Sequence, residues 1–223
     1  MTKEQVNKSL RADLDTIGKI IANATLHIDY LNFTETQASN SDKSILKTYS
    51  LFLHVENAFW WVAILDLLKL YSKSKNDDYN LYSFIERVIK NYEIIEWENL
   101  MEESTLTLLN QLDSKSVQVE KIKKVRDKYI AHLDKKRMRV DLNLDNLNEL
   151  LSMCQQVHDK FNFSFNYATT RWEYSWSEKG YQIFKNLSKY QQIRELTFSY
   201  SVDNKKCIDN KLLLEIIREP TSN

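Results

Sequence analysis

Apolar positions recur at helical spacing from the beginning of the chain. Val6, Leu10, Leu14, Ile17, Ile20, Ile21 and Leu26 follow it, so residues 3–31 read as an amphipathic helix. The polar run "TETQASNSDKS" interrupts the pattern, with Ser41 or Asp42 placed to cap the next helix. That helix, roughly 43–72, contains "LFLHVENAFWWVAILDLLKLY" and is apolar around much of its circumference. Such a segment is expected at the centre of a bundle, touched from several sides. "SKSKNDDYN" reads as a loop, and further helices are expected near 80–93, 97–112, 116–134 and 143–161. In the last of these, Leu144, Leu147, Leu150, Leu151, Cys154 and Val157 form the apolar side.

After residue 160 the texture changes. "FNFSFNY" and "WEYSW", separated by "ATTR", each alternate aromatic and polar residues with the period of a half-buried strand, which allows a small β-hairpin. Helices near 179–195 and 208–218 are expected beyond it. Trp172, Tyr174 and Trp176 have ring faces suited to stacking on nucleobases, but such clusters more often pack against a core. The pattern as a whole predicts an all-α fold. It consists of a multi-helix bundle over residues 1–160 and a C-terminal extension over 161–223 whose role is unassigned.

Composition supports that fold class. The 223 residues include only two Gly and one Pro, too few for the turns of a sheet-rich fold. Cys154 and Cys207 have no CxxC or His partner, so they read as reduced thiols and no metal or cofactor is expected. The first residues, "MTKEQVNKSLRADLD", carry no apolar signal region, and no segment reaches about 18 uninterrupted apolar residues. A cytoplasmic protein with no membrane partner is therefore expected. With two glycines there is no Gly-rich phosphate loop, which argues against a nucleotidyltransferase or kinase.

Net charge is zero, but its distribution is uneven. Residues 115–140 carry ten Lys or Arg against three acids, a footprint for a phosphate backbone or simply a solvated helix face. Within it lies "KKVRDKYIAHLDKKR", residues 123–137. On a regular helix Ile122, Val125, Tyr129, Ile130 and Leu133 make a buried stripe, while Lys123, Lys124, Asp127 and Lys128 turn away from it. Arg126 and His132 fall on the two margins of the stripe, roughly 120° apart and about 9 Å apart along the axis. An Arg at the edge of a buried stripe needs a partner. One straight helix does not converge both groups on one phosphate. Either the helix distorts near His132, or a second copy completes the site across a two-fold interface.

"RDKYIAHLD" resembles the signature of the HEPN superfamily, in which Arg, a polar residue and a later His recur; here these are Arg126, Asp127 and His132. The preceding "ENAFWWVAILDLLKLY" is similar to the abortive-infection U-type branch of that superfamily, and the resemblance covers about residues 1–160. It implies a dimeric, metal-independent endoribonuclease, a toxin or phage-defence effector that leaves a 2′,3′-cyclic phosphate. In that scheme His132 shuttles a proton, Arg126 holds the phosphate, and Asp127 orients one of them. Lys124, Lys128 and Lys135 are the expected RNA contacts, and an antitoxin protein is an expected partner. Superfamily toxins paired with a minimal nucleotidyltransferase often carry a Tyr two residues after the His, where this chain has Asp134, so a different antitoxin is implied. The alternative is a non-catalytic HEPN-like module that binds RNA or protein. In it, Arg126 and His132 serve packing or binding only.

Overall fold

The computed structural model describes residues 2–48, 50–74, 76–95, 97, 100, 102–131, 142–166, 170–172, 186, 187, 189, 190 and 193, excluding the side chains at 41, 129–131 and 166. All secondary structure among these residues is helical, as the spacing predicts. The seven α-helices are α1 (Lys3–Asn32), α2 (Asn40–Thr48), α3 (Ser50–Leu70), α4 (Leu81–Lys90), α5 (Glu102–Ser114), α6 (Ser116–Val125) and α7 (Leu144–Asn166). Short π-turns follow α1 and α6. The chain divides into two compact units, Met1–Leu31 with Asn57–Tyr174, and Asn32–Glu56 with Ser175–Asn223.

The first unit is built on α1 and α7. Leu10, Leu14, Ile17, Ile21, Ala24, Ile28 and Leu31 are buried at alternating steps of three and four, a continuous stripe along one face. Each fully buried aliphatic side chain contributes about 1.5–3 kcal/mol before entropy is counted. Ile20 and Leu26, expected on this stripe, lie half-buried at its margins instead. All six predicted apolar positions of α7 are buried, and Phe161 extends the face. Three contacts fix the two helices as antiparallel: the Arg11 guanidinium lies 3.7 Å from the Phe165 ring centroid, Gly18 meets His158, and Gln155 Nε2 donates to Thr25 Oγ1. Around them, Arg87 of α4 pairs with Asp13 and donates to Ser9 Oγ on α1. The Trp97 indole donates to Asn7, and the Phe84 and Phe161 rings meet edge to face at 5.1 Å.

Local chemistry sets the helix ends. In the second unit, the Ser39 hydroxyl accepts from the Asp42 backbone N–H, while the Asp42 carboxylate accepts from the Ser39 N–H and hydroxyl. This is a reciprocal capping box, so Ser39 caps α2, not Ser41 or Asp42. Asn80 and Asn143 cap α4 and α7 by accepting from the N–H groups of Ser83 and Asn146.

Three expectations need correction or refinement. The long apolar segment is two helices, α2 and α3, and α3 is buried only at Ala63, Ile64, Leu67 and Leu70. Leu51, Leu53, Val62 and Leu65 are exposed. Apolarity around the circumference marks a central helix only when neighbours exist on every side, and here one face of its C-terminal half has them. By length and composition α3 is long and apolar enough to cross a membrane, despite its interrupting Glu56, Asp66 and Lys69. The first limb of the hairpin is also not a strand: Phe161–Asn166 are the last turns of α7. Phe161 and Phe165 are four apart and share the core side, while Phe163 faces solvent. An aromatic at every second position thus satisfied a helical stripe as well as a strand. The boundary expected at residue 160 accordingly falls inside α7. The helices expected near 179–195 and 208–218 lie largely or wholly outside the described residues.

Gly18 permits the α1–α7 approach, because a Cβ there stands 2.7 Å from His158 Nε2. His158 is buried and its ring packs edge-on against Trp172 at 5.1 Å, so it has little room to move. Alanine gains roughly 1 kcal/mol of helix propensity over glycine, and overpacking costs about 1–3 kcal/mol. Gly18→Ala is therefore expected to lower the unfolding free energy by about 1 kcal/mol net, measured by urea denaturation. An unchanged or raised midpoint contradicts this packing.

Candidate functional site

The basic segment begins as α6 and then changes its hydrogen-bonding pattern. Ile122 and Val125 are buried as the stripe predicts, while Lys123 and Lys124 are exposed. From Arg126 to Ala131 the helix widens into a π-turn, a distortion that frequently accompanies functional sites. A regular-helix angle therefore does not hold across Arg126–Ala131. His132 and Lys135 lie outside the described residues.

Arg126 is 37% exposed and has found a partner. Its Nε donates to Asp127 Oδ1 at 2.8 Å, and its Nη2 stands 2.6 Å from the same oxygen. The Asp127 side chain remains half exposed, as a position turned away from the stripe implies, while its carboxylate reaches back to the guanidinium. Guanidinium has five N–H donors in a rigid fork, and this pairing leaves donors for another anion. Lys128 is half-buried.

Two cavities in the first unit share Arg126 as a wall. One, of about 500 Å³, lies between α6 and the C-terminal end of α3, with Lys73, Tyr82, Lys123 and Ser116 among its walls. The other, of about 530 Å³, is bounded by Leu65, Lys69, Asp78 and Tyr79. Sequence reading missed Lys73, Ser72 and Asp77, since "SKSKNDDYN" carries only the composition of a solvated loop, and Tyr82, an aromatic in the first turn of α4 with no distinguishing spacing. Lys73 Nζ lies 2.6 Å from Asp113 Oδ1 and 4.6 Å from the Tyr82 ring centroid, and the Tyr82 hydroxyl donates to the same carboxylate. Lys73 and then Tyr82, through their hydrogen bonds, hold the Asp113 carboxyl below its ordinary range.

Other titratable groups are perturbed by burial. Asp66 on α3 is pushed up to about 6 by burial, and its Oδ2 has no hydrogen-bond partner. Asp29 is likewise raised to about 6 by burial, beside a third cavity of about 780 Å³. Burial lowers His27 and His158; His158 Nδ1 is 3.6 Å from Asp159 Oδ1, too far for a hydrogen bond. His54 is exposed. Burial pushes the Cys154 thiol up to about 12, leaving it unreactive near neutrality. The Trp172 indole donates to Asp159 and packs on His158, which is packing rather than a free stacking face. Tyr174, Trp176 and Cys207 lie outside the described residues. Among the described residues, no group of His, Cys, Asp and Glu is arranged to hold a metal ion.

Asp66 generates a pH prediction. In the unfolded chain it ionises near 3.8, in the folded state near 6, so its contribution to stability is fully present below 3.8 and lost as pH rises through 6. Asp66→Asn removes the charge at every pH. Its stability advantage over wild type is expected to open between pH 4 and 7 and reach about 1 kcal/mol, the shift being discounted for partial solvent screening. Parallel stability profiles for the two proteins contradict this.

The family model HEPN_AbiU2, described as AbiU2, matches residues 8–179. No curated protein and no solved structure matches the chain.

Proposed function

Because the chain belongs to the HEPN AbiU2 family, we propose that it is a metal-independent endoribonuclease that works as a homodimer. Arg126 grips the scissile phosphate and stabilises charge developing on its non-bridging oxygens. Asp127 fixes the guanidinium through the hydrogen bond at 2.8 Å. His132 moves the proton, taking it from the attacking 2′-hydroxyl or delivering it to the departing 5′-oxygen, since imidazole titrates near neutrality. The 2′-oxygen bonds to phosphorus as the 5′-oxygen leaves, giving a 2′,3′-cyclic phosphate and a 5′-hydroxyl. Lys124, Lys128 and Lys135 neutralise neighbouring phosphates.

The observation that most supports this reading is the Arg126–Asp127 pair on a π-turn at the seam of two cavities. It keeps part of the fork free where a strand can reach it. For the dimer, support comes from exposed Val62 and Leu65 on α3, the latter beside Arg126 in the second cavity. In the proposed dimer a second copy covers this face, with the Arg126 of each copy beside it. The family's name points to abortive infection, so the protein acts in the cytoplasm as a phage-defence effector or toxin, restrained by an antitoxin protein.

Total tRNA and mRNA incubated with the protein in chelator test the chemistry. Wild type is expected to cleave, Arg126→Ala to lose about 10²–10³-fold in rate, and His132→Ala about 10²–10⁴-fold. RNA binding with no cleavage by wild type selects the non-catalytic module instead. Leu65→Glu is expected to yield a folded monomer by light scattering and to lose cleavage; a fully active monomer contradicts the shared site.

A further inference from the structure

We propose that the cavity between α6 and the C-terminal end of α3 is a nucleotide subsite, seating one nucleotide of single-stranded RNA next to the phosphate held by Arg126. The identity of the polymer rests on the ribonuclease reading; the cavity does not.

One continuous face of α6 opens on this cavity. Ser116, Val119, Glu120, Lys123 and Arg126 all line it, at offsets of three, four, seven and ten residues that place them on one side of a helix. Leu68 and Ser72 stand on the α3 side, with Tyr82 of α4 contributing an aromatic wall. Its volume, about 500 Å³, is in the range of small-molecule sites, roughly 300–1,000 Å³.

The lining matches the parts of a nucleotide. Leu68 and Val119 are apolar surfaces for a base, and the Ser116 hydroxyl can both donate and accept, which suits a base edge or ribose; the Ser72 hydroxyl already donates to Asp77 and accepts from the Ser74 N–H, and Ser74 Oγ accepts from the Asn76 N–H. Lys73, Lys123 and Arg126 turn cationic N–H donors to the cavity, each backed by a carboxylate, Asp113, Glu120 and Asp127 respectively, so an anion is held by their remaining donors and not by an excess of positive charge. Lys73 is pre-set for this by Asp113 at 2.6 Å and by the Tyr82 ring beneath it, which reduces the ordering cost of binding. Lys123 is half exposed at the rim, with only a 3.6 Å approach to Glu120. A base enters such a cavity only from an unpaired strand, because a duplex keeps its bases stacked inside.

A free nucleotide and a residue of an RNA strand present the same chemistry, so the test uses both. Binding of uridine and guanosine 3′-monophosphates, and of a short 2′-O-methyl oligoribonucleotide that cannot be cleaved, is measured by calorimetry on the full chain. The oligonucleotide is expected to bind more tightly than either mononucleotide, and all to weaken about tenfold or more in Val119→Trp, which fills the cavity. Lys123→Glu, at an exposed position that folding tolerates, is expected to weaken binding similarly, whereas Lys90→Glu on α4 is not. Ser152→Trp, in the 780 Å³ cavity, is expected to leave binding unchanged. Unchanged binding in Val119→Trp, shown folded by its melting curve, or in Lys123→Glu overturns the subsite. Mononucleotides binding as tightly as the oligonucleotide overturn its assignment to RNA. Cleavage unaffected by Val119→Trp removes the subsite and leaves the ribonuclease standing. Binding lost in Val119→Trp with no cleavage by wild type keeps the subsite and removes the ribonuclease.

Discussion

The antiparallel packing of α1 on α7 is the constraint on which the first unit depends. It joins the two longest helices among the described residues through a stripe of aliphatic side chains, with Gly18 letting His158 sit directly against the α1 backbone. Burial lowers the His158 pKa, and its ring is closed over by Trp172, whose indole is tied to Asp159. Two polar groups are thus buried in a largely apolar interface, Thr25 hydrogen-bonded to Gln155 and His158 governed mainly by desolvation.

From that core, one turn of α7 reaches both walls of the Arg126 cavity. The Leu150 carbonyl accepts a hydrogen bond from the Tyr71 hydroxyl at 3.0 Å, which anchors the end of α3. One residue earlier, Glu149 pairs with Lys115 and accepts from Gln118, which anchors the start of α6. Those two bonds, Lys115 first, hold the Glu149 carboxyl below its ordinary range. The basic segment is therefore carried on a scaffold fixed at its N-terminal end, and its π-turn comes ten residues later. Placing a functional side chain on a regular element anchored by packing gives it definite geometry, which a loop does not.

The fold was legible where burial has a strict period. Most of the α1 stripe and all six named positions of α7 were legible from helical spacing, and Ile20 and Leu26 fell at the margins of the α1 stripe. Legibility failed where the same letters satisfy two structures. The Phe161, Phe163, Phe165 alternation also places Phe161 and Phe165 on one helix face, and the apolar excess of α3 does not reveal that its N-terminal half is largely exposed. At the candidate site, Arg126 stood out because a cation at the edge of a buried stripe demands a partner, and Asp127 only through the resemblance to the HEPN signature. That Asp127 itself is the partner is a side-chain arrangement on a π-turn, which no spacing rule encodes. Lys73, Ser72 and Tyr82 join Arg126 across more than forty positions of sequence, through loop and helix packing that periodicity cannot show.

In the proposed reaction Arg126 is the phosphate fork and His132 the proton carrier in transesterification of RNA, and the chemistry of the cleaved ends distinguishes it from other routes. RNA digested by the wild-type protein in chelator is predicted to carry 2′,3′-cyclic phosphate and 5′-hydroxyl ends, and Arg126→Lys, which keeps the charge but not the fork, is predicted not to produce them. Ends bearing 3′-hydroxyl and 5′-phosphate, or full activity in Arg126→Lys, contradict it.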